Sequence, residues 1–232
     1  MRKAKSSNPS PNGDMTAKMA EFTRAMVGWY QPRRRPFPWR DSTDPYFITI
    51  CELFLQRTNA EKVEKVALEF FGRCPNPDNL HSANPQEIER ILKPLGLPHR
   101  IGQVYEIAAA FARMQQEKRE VQEEDLRALP GVGPYVASAV KVLALGKSDA
   151  VIDEHVLRQF RRVFSLHAPP RRHPRKEIRD FALKLVPEGY AKEYNLAILD
   201  NGRLNCRPSK PQCSYCAVRD ICDHANSGGL VI

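Results

Sequence analysis

The chain has 232 residues, enough for one domain or two closely joined ones. Its 36 Lys and Arg against 27 Asp and Glu give a formal net charge of +9, which favours a polyanionic partner such as a nucleic acid. No stretch approaches the roughly 18 apolar residues of a membrane span, and residues 1–14 lack the apolar core of a secretion signal, so we expect no membrane association and a disordered basic tail. A reducing compartment is therefore expected, either the cytoplasm with its nucleoid or a eukaryotic nucleus, where disulfides are disfavoured.

The rest of the chain predicts a succession of helices with short connections. Apolar side chains recur at helical spacing, and several Asp-Pro or Asn-Pro pairs are typical of helix starts. No alternating strand pattern is present, so the predicted fold class is all-α. In chain order, the predicted helices cover about 15–31, the stretches after Asp44, Asn59 and Asn84, about 99–118, 125–129, the stretches after Gly133 and Asp153, and about 174–186 and 190–202.

A glycine-containing turn separates two of the predicted short helices. It consists of Gly131, Val132 and Gly133, and it follows Leu129 and Pro130. Glycines permit positive φ and a close approach of the backbone, and the N–H groups that begin the next helix favour an anion such as a DNA phosphate. The pentapeptide alone is equally compatible with an ordinary helix–helix turn.

Four of the six cysteines lie close together near the C-terminus. One Cys-x2-Cys pair has wider flanking spacings, which favours a 4Fe–4S cluster over the two close pairs of most zinc sites. A zinc site remains the alternative. Arg207 and Lys210 lie within this segment and are candidates for DNA-backbone contacts, unless they are simply solvated charges. The four cysteines are Cys206, Cys213, Cys216 and Cys222.

The turn and the cysteine spacing together resemble the endonuclease III superfamily of helix-hairpin-helix (HhH-GPD) DNA glycosylases, over about residues 20–222. The resemblance implies a two-lobed all-α fold. Residues 44–146 would form a six-helix barrel domain containing the hairpin at 125–146. Residues 15–43 and 147–232 would form the lobe that carries the 4Fe–4S cluster. It also implies a monomer that binds double-stranded DNA across the cleft between the lobes, with one base flipped out.

Asp153 and Tyr135 are the central candidates for catalysis. From the residues alone, Asp153 is a helix N-cap and Tyr135 a packing aromatic. The resemblance implies an essential aspartate eighteen residues after a position just inside the second hairpin helix, and these two residues have that spacing. A carboxylate there would stabilise the oxocarbenium-like sugar or activate water. Bifunctional members carry a Schiff-base lysine where this chain has Tyr135, so the reaction is expected to be monofunctional.

Glu52 lies within an apolar stretch that resembles the adenine-mismatch and the archaeal-type thymine/uracil-mismatch glycosylases. The resemblance places Glu52 in the base pocket, where desolvation would favour its protonated form and allow it to donate a proton or hydrogen bond to the leaving base. A solvent-facing helical Glu is the alternative. Gln56 falls where the family inserts a side chain into the space left by the flipped base, and Arg57 beside it is expected to contact DNA.

The resemblance favours removal of thymine or uracil opposite guanine. Tyr135 with its downstream Asp is the arrangement of the thymine/uracil group, whereas adenine enzymes usually carry Ser there and have a further C-terminal domain. Such a domain is not expected here, because the chain ends ten residues after Cys222. Excision of adenine opposite guanine or 8-oxoguanine is the first alternative. A non-catalytic iron–sulfur DNA-binding module is the alternative of a different class, and Tyr135 argues against an abasic-site lyase.

Overall fold

The computed structural model describes residues 11–96, 100–166 and 176–228. Within these ranges the regular structure consists of α-helices and short 3₁₀ turns without strands, which confirms the all-α prediction. None of the described helices is long and apolar enough to cross a membrane. The helices are α1 (Pro11–Tyr30), α2 (Pro38–Asp41), α3 (Pro45–Leu55), α4 (Ala60–Arg73), α5 (Pro77–Ser82), α6 (Pro85–Leu92), α7 (Ile101–Gln116), α8 (Glu123–Ala128), α9 (Pro134–Leu143), α10 (Glu154–Phe164), α11 (Lys176–Leu185), α12 (Ala191–Leu204) and α13 (Asp223–Asn226).

Side-chain caps determine where several helices begin. The predicted caps at Asp44, Asn59 and Asn84 are confirmed, since each side-chain oxygen accepts a hydrogen bond from a backbone N–H in the first turn. Asn76 caps α5 in the same way, with Pro77 in its first turn. The sequence interpretation missed α5, although Asn76-Pro77 is the same pair of a capping residue and a proline that predicted the helices after Asp44 and Asn84.

The first helix begins within the segment that was predicted as a tail. Residues 11–14 form the beginning of α1. A proline is compatible with the first turn of a helix, because its fixed φ suits that position. Residues 1–10 of the predicted tail lie outside the described residues.

The chain divides into two compact units. One unit comprises Met1–Arg34 and Ile152–Ile232, and the other comprises Arg35–Val151. The proline-rich connector after Arg34 and the residues just before Ile152 therefore belong with the middle of the chain. We call Arg35–Val151 the hairpin unit and the remainder the cysteine unit.

Helix α3 lies at the centre of the hairpin unit. It packs against α4, α7 and α9, and most of its residues are buried. A helix that is apolar on nearly all sides needs neighbours all round, so α3 fixes the positions of the other helices. Burial of each large side chain contributes about 2–3 kcal/mol. The aromatic residues around α3 are Tyr46, Phe47, Phe54, Phe70, Phe71 and Phe111.

In the cysteine unit, α12 packs against both α1 and α10. The closest approach is at Gly202, where an added Cβ would lie 2.6 Å from Gln159 Nε2 and 2.9 Å from His155 Cβ. Any larger residue would separate α10 from α12. The buried Gln159 side chain also joins these helices, because its Nε2 donates to Ile198 O at 2.6 Å. The aromatic core of the unit consists of Phe22, Phe160, Phe164, Phe181 and Tyr194.

Candidate functional site

The predicted glycine turn joins α8 to α9, and its two glycines have different roles. Gly131 has a φ of +74°, and an added Cβ would lie 2.9 Å from Gln103 Oε1, so both its conformation and its surroundings require glycine. Gly133 has an extended φ of −85° and caps α9, with open space where a Cβ would stand. Pro134 follows, and no side chain caps the helix. Backbone N–H groups of the first turn of α9 can therefore donate hydrogen bonds to an external anion.

The C-terminal end of α3 contacts this turn. Gln56 Nε2 donates a hydrogen bond to Gly131 O at 3.0 Å, so the predicted inserting residue and the hairpin lie together. Arg57 is exposed and has a φ of +65°, a left-handed conformation that is uncommon for a residue other than glycine. Glu52 lies on α3 four residues before Gln56 and is only 4% exposed. The alternative of a solvent-facing Glu52 is therefore excluded.

Two residues near this turn were missed by the sequence interpretation. Arg100 Nη1 donates to Leu53 O at 2.9 Å and so binds a carbonyl near the C-terminal end of α3. Burial, and next the charge of Arg57, lower the pKa of Arg100. Gln103 packs against Gly131 from α7. No motif identifies either residue, because their partners are distant in the chain.

Tyr135 lies in the first turn of α9, immediately after Pro134, and its side chain is half-buried. A half-buried ring fits a packing aromatic whose hydroxyl reaches water as well as a residue that faces a bound sugar, so its burial does not separate the two interpretations. Lys141, on the last turn of the same helix, is the nearest lysine along the chain after Tyr135. Its amine is held by the carboxylates of Glu123 at 2.6 Å and Asp149 at 2.8 Å.

Asp153 caps α10 in the cysteine unit. Its Oδ1 accepts a hydrogen bond from Val156 N at 2.8 Å, which confirms the capping role. Burial raises the pKa of the Asp153 carboxyl, while the nearby charge of His155, the backbone N–H groups of the helix and Arg158 oppose this rise. The carboxyl thus lies in an environment that disfavours its charge, unless a cation approaches.

Arg158 links the helix that Asp153 caps to the cysteine segment. Its Nε donates to Cys206 O at 2.6 Å, and its Nη2 donates to Gly202 O at 2.9 Å. The same Nη2 lies 2.7 Å from His155 Nδ1. Because a guanidinium can only donate, the His155 ring nitrogen is the acceptor in this contact. No sequence pattern indicates a role for Arg158, since its partners lie 44 and 48 residues away.

The four predicted cysteines line one small cavity beside α10. Cys206 and Cys222 are buried, Cys213 and Cys216 are half-buried, and none of the four forms a disulfide. Two polar side chains contact the sulfurs: Arg162 Nη1 lies 3.5 Å from Cys206 Sγ, and Asn201 Nδ2 lies 3.5 Å from Cys216 Sγ. Burial raises the pKa values of the Cys216 and Cys222 thiols, so their thiolates require a compensating cation.

The donor set of this cavity consists of four thiols. In the described ranges, no three Cys, His, Asp or Glu side chains converge on a position that could hold one metal ion. Four thiolates that line one cavity fit a metal centre with four cysteine ligands, a set that both zinc sites and 4Fe–4S clusters use. Arg207 and Lys210 lie exposed in the same segment.

Comparison with known proteins identifies the family. The family model of HhH-GPD superfamily base excision DNA repair proteins matches residues 50–188, which is more than half of the chain. The chain belongs to the HhH-GPD superfamily. The resemblance inferred from the glycine turn and the cysteine spacing is thereby confirmed.

HhH-GPD relatives match most of the chain. A thymine/uracil-DNA glycosylase of Pyrobaculum aerophilum is 33% identical over 208 residues, covering 87% of this chain and 90% of the relative. A thymine-DNA glycosylase of Aeropyrum pernix is 33% identical, covering 88% of this chain and 94% of the relative. An adenine DNA glycosylase of Mycobacterium tuberculosis is 30% identical, covering 88% of this chain but 67% of the relative.

Solved HhH-GPD structures have the same fold. A thermostable thymine-DNA glycosylase superposes with a TM-score of 0.83 at 31% identity, covering 92% of this chain and 99% of the other. A non-covalent endonuclease III–DNA complex has a TM-score of 0.72 at 19% identity, covering 95% of this chain and 99% of the other, and supports the fold alone. The predicted helix-hairpin-helix glycosylase fold is therefore confirmed.

Proposed function

We propose that this protein is a monofunctional DNA glycosylase of base excision repair, which hydrolyses the N-glycosidic bond of thymine or uracil opposite guanine. The observation that carries the proposal is the 33% identity, over nearly the whole of both chains, to a thymine/uracil-DNA glycosylase. Tyr135 in the first turn of α9 supports the monofunctional reaction, because a phenol cannot form an imine with the sugar. The likeness to adenine DNA glycosylases makes adenine the competing substrate.

Asp153 would supply the electrostatic part of the reaction. Its carboxylate is partly desolvated, so its charge interacts strongly with a cation that develops nearby. The oxocarbenium-like sugar is such a cation, and it exists only as the glycosidic bond breaks. The same environment that makes the free carboxylate costly would therefore stabilise the transition state more than the bound substrate.

Glu52 would act on the base. The side chain is 4% exposed on a helix that is buried nearly all round, so it is shielded from competing water. A pyrimidine leaves as an anion, and a protonated carboxyl or a hydrogen bond from it would stabilise that charge. Adenine leaves best when protonated, so Glu52 serves either substrate and does not choose between them.

Double-stranded DNA with one flipped-out base would be the partner of a monomeric enzyme. The uncapped first turn of α9, after Gly131, Val132 and Gly133, offers backbone N–H groups to a phosphate. Gln56 would enter the space that the base leaves, and Arg57 beside it is exposed and available to the backbone. Such a substrate implies action at chromosomal DNA, in the nucleoid or the nucleus.

Cys206, Cys213, Cys216 and Cys222 would hold a 4Fe–4S cluster. When bound, the cluster would supply the cation that the desolvated thiolates require and would cross-link the segment between α12 and α13. The crosslink would hold Arg207 and Lys210 on a firm loop, where both face solvent and can contact the DNA backbone. Arg162, which contacts Cys206 Sγ and donates to Arg207 O at 2.6 Å, would brace that loop from α10.

A strand-cleavage assay tests the proposal. The purified protein is incubated with labelled duplexes containing G·T, G·U, A·8-oxoG or thymine glycol, and each product is run with and without hot alkali. We expect cleavage of G·T and G·U duplexes only after alkali, because hydrolysis leaves an intact abasic strand. Cleavage without alkali would show a lyase, release of adenine opposite 8-oxoguanine would favour the alternative substrate, and no release from any duplex would favour a non-catalytic DNA-binding module.

A further inference from the structure

A half-buried lysine connects three segments of the hairpin unit. Lys141, on the last turn of α9, lies 2.6 Å from Glu123 Oε2 in the first turn of α8 and 2.8 Å from Asp149 Oδ2 in the segment that follows α9. Its side chain is 13% exposed and that of Asp149 is 3% exposed, so solvent screens this interaction little. The backbone contributes as well, because Lys147 N donates to Lys141 O at 2.9 Å.

Asp149 is fixed by further hydrogen bonds. Its Oδ1 accepts from Ala150 N at 2.7 Å, and its Oδ2 accepts from Ser138 Oγ at 3.2 Å. A buried carboxylate with an ammonium group and two neutral donors is well compensated. Hydrogen bonds with Asp149 and Glu123 raise the pKa of Lys141 even though burial, the largest influence, lowers it. Lys141 is therefore protonated, and its ammonium group links Glu123 to Asp149 through two ion pairs.

The ion pairs of Lys141 lie where they can control the angle between α8 and α9. Glu123 is the first residue of α8 and Lys141 lies in the last turn of α9, so both stand at the ends of the helices opposite the Gly131–Gly133 turn. The ion pair between Lys141 and Glu123 therefore joins the two helices at the ends that are farthest from the turn. From Lys141 to the first turn of α9 is only about 10 Å at 1.5 Å per residue, so a change in the angle between the helices displaces the N–H groups at the tip.

We infer that Lys141 is a positioning residue, which sets the angle of the hairpin and thereby aims the backbone N–H groups of its turn at a DNA phosphate. This inference rests on the proposed function, in which the turn binds DNA. Lys141 does not itself contact the phosphate, since its ammonium group is enclosed by two carboxylates. It is also not the amine of a lyase reaction, because a protonated amine is not a nucleophile.

Replacing Lys141 by Met tests the inference. Met keeps most of the side-chain length and loses the charge, which leaves Asp149 buried without its cation and releases α8 from α9. We expect the Kd for a G·U duplex to rise about ten-fold, as when one charge-assisted phosphate contact is weakened. The single-turnover rate at saturating enzyme should stay within about two-fold of wild type, because the catalytic groups are unchanged.

Two further readouts separate positioning from a direct phosphate contact or general damage. Loss of a direct contact would lower the slope of log Kd against log salt by about 0.9, whereas loss of a positioning residue leaves the slope unchanged. Amide exchange of the free protein should quicken at Val132 N–H, which donates to Leu129 O at 3.2 Å, and at Ala137 N–H, which donates to Gly133 O at 3.0 Å. Amide exchange in α4, which contributes no residue to these ion pairs, should not change.

Lys147→Met is the matched control, because it removes the same charge from an exposed lysine of the same unit. Its Kd and hairpin exchange should match wild type. Asp149→Asn is the second variant, and it tests the inference if Lys141→Met does not fold. It keeps an acceptor for Ala150 N–H and loses only the charge, so we expect the same changes at smaller size.

Three outcomes would overturn the inference: unchanged affinity and exchange in a folded Lys141 variant, an equal loss of affinity in Lys147→Met, or a reduced salt slope. If wild-type protein fails to bind duplex, the proposed function is wrong. The exchange measurement on free protein still shows whether Lys141 holds the hairpin, so the two failures are distinguishable.

Discussion

Asp153→Asn separates the two roles of Asp153. The carboxylate caps α10 through Oδ1, which lies 2.8 Å from Val156 N, and the amide of Asn offers an oxygen at the same place. Asn and Asp cap helices about equally well, whereas Ala loses about 1 kcal/mol. We therefore expect Asp153→Asn to fold normally while losing the negative charge.

The stability of this variant has a predictable sign. Burial raises the pKa of Asp153 in the folded protein, so the folded state binds the proton more tightly than the unfolded chain does. The ionised carboxylate therefore lowers stability at neutral pH, and this cost disappears as pH falls below the ordinary pKa of Asp, about 3.9. Asp153→Asn, which is neutral at every pH, should melt at the wild-type temperature or above it at pH 7. The difference should shrink towards pH 4.

Base release should fall by at least about 100-fold, which corresponds to about 2.7 kcal/mol of lost transition-state stabilisation. The measurement is a single-turnover time course on a G·U duplex with enzyme in excess, followed by alkali. Asp44→Asn is the matched control, because Asp44 caps α3 in the same manner, with Oδ1 2.9 Å from Tyr46 N, and has no proposed catalytic role. An Asp153→Asn rate within about three-fold of wild type, at unchanged melting temperature, would show that Asp153 is only a helix cap.

Other substitutions test the remaining parts of the proposal. Tyr135→Lys should form a covalent complex with substrate DNA under borohydride, whereas trapping of the wild type would identify another amine as a nucleophile. Cys213→Ser should lose iron and visible absorption while Cys74→Ser keeps both, and zinc without iron in anaerobically purified wild type would disprove the cluster. Gly131→Ala should lower stability by about 1–3 kcal/mol, because its φ is +74° and the new Cβ lies 2.9 Å from a side chain. Gly133→Ala should melt like wild type yet bind duplex more weakly, since its Cβ enters open space at the start of α9, and equal melting of the two variants would contradict this distinction.

The sequence by itself determined the features that depend on nearby residues. Helix caps at Asp44, Asn59 and Asp153 were predictable because a cap joins a side chain to a backbone N–H only two or three residues ahead. The hairpin turn and the cysteine spacing were visible for the same reason, as their members are close in the chain. The family membership that they indicated carried the fold with it.

Only the tertiary structure decided which distant groups meet. Gly131 and Gly133 are equivalent in the sequence, but only Gly131 faces a side chain of α7 and has a positive φ. The sequence does not distinguish Arg158 from a surface arginine, whereas the fold places Cys206 O, just after α12, 2.6 Å from its Nε. Lys141 differs from the exposed Lys147 only because α8 and the segment after α9 enclose it between two carboxylates. Helix periodicity limits which face of a helix is buried, but the partner of a long polar side chain depends on how helices pack, and packing is decided by contacts far apart in the chain.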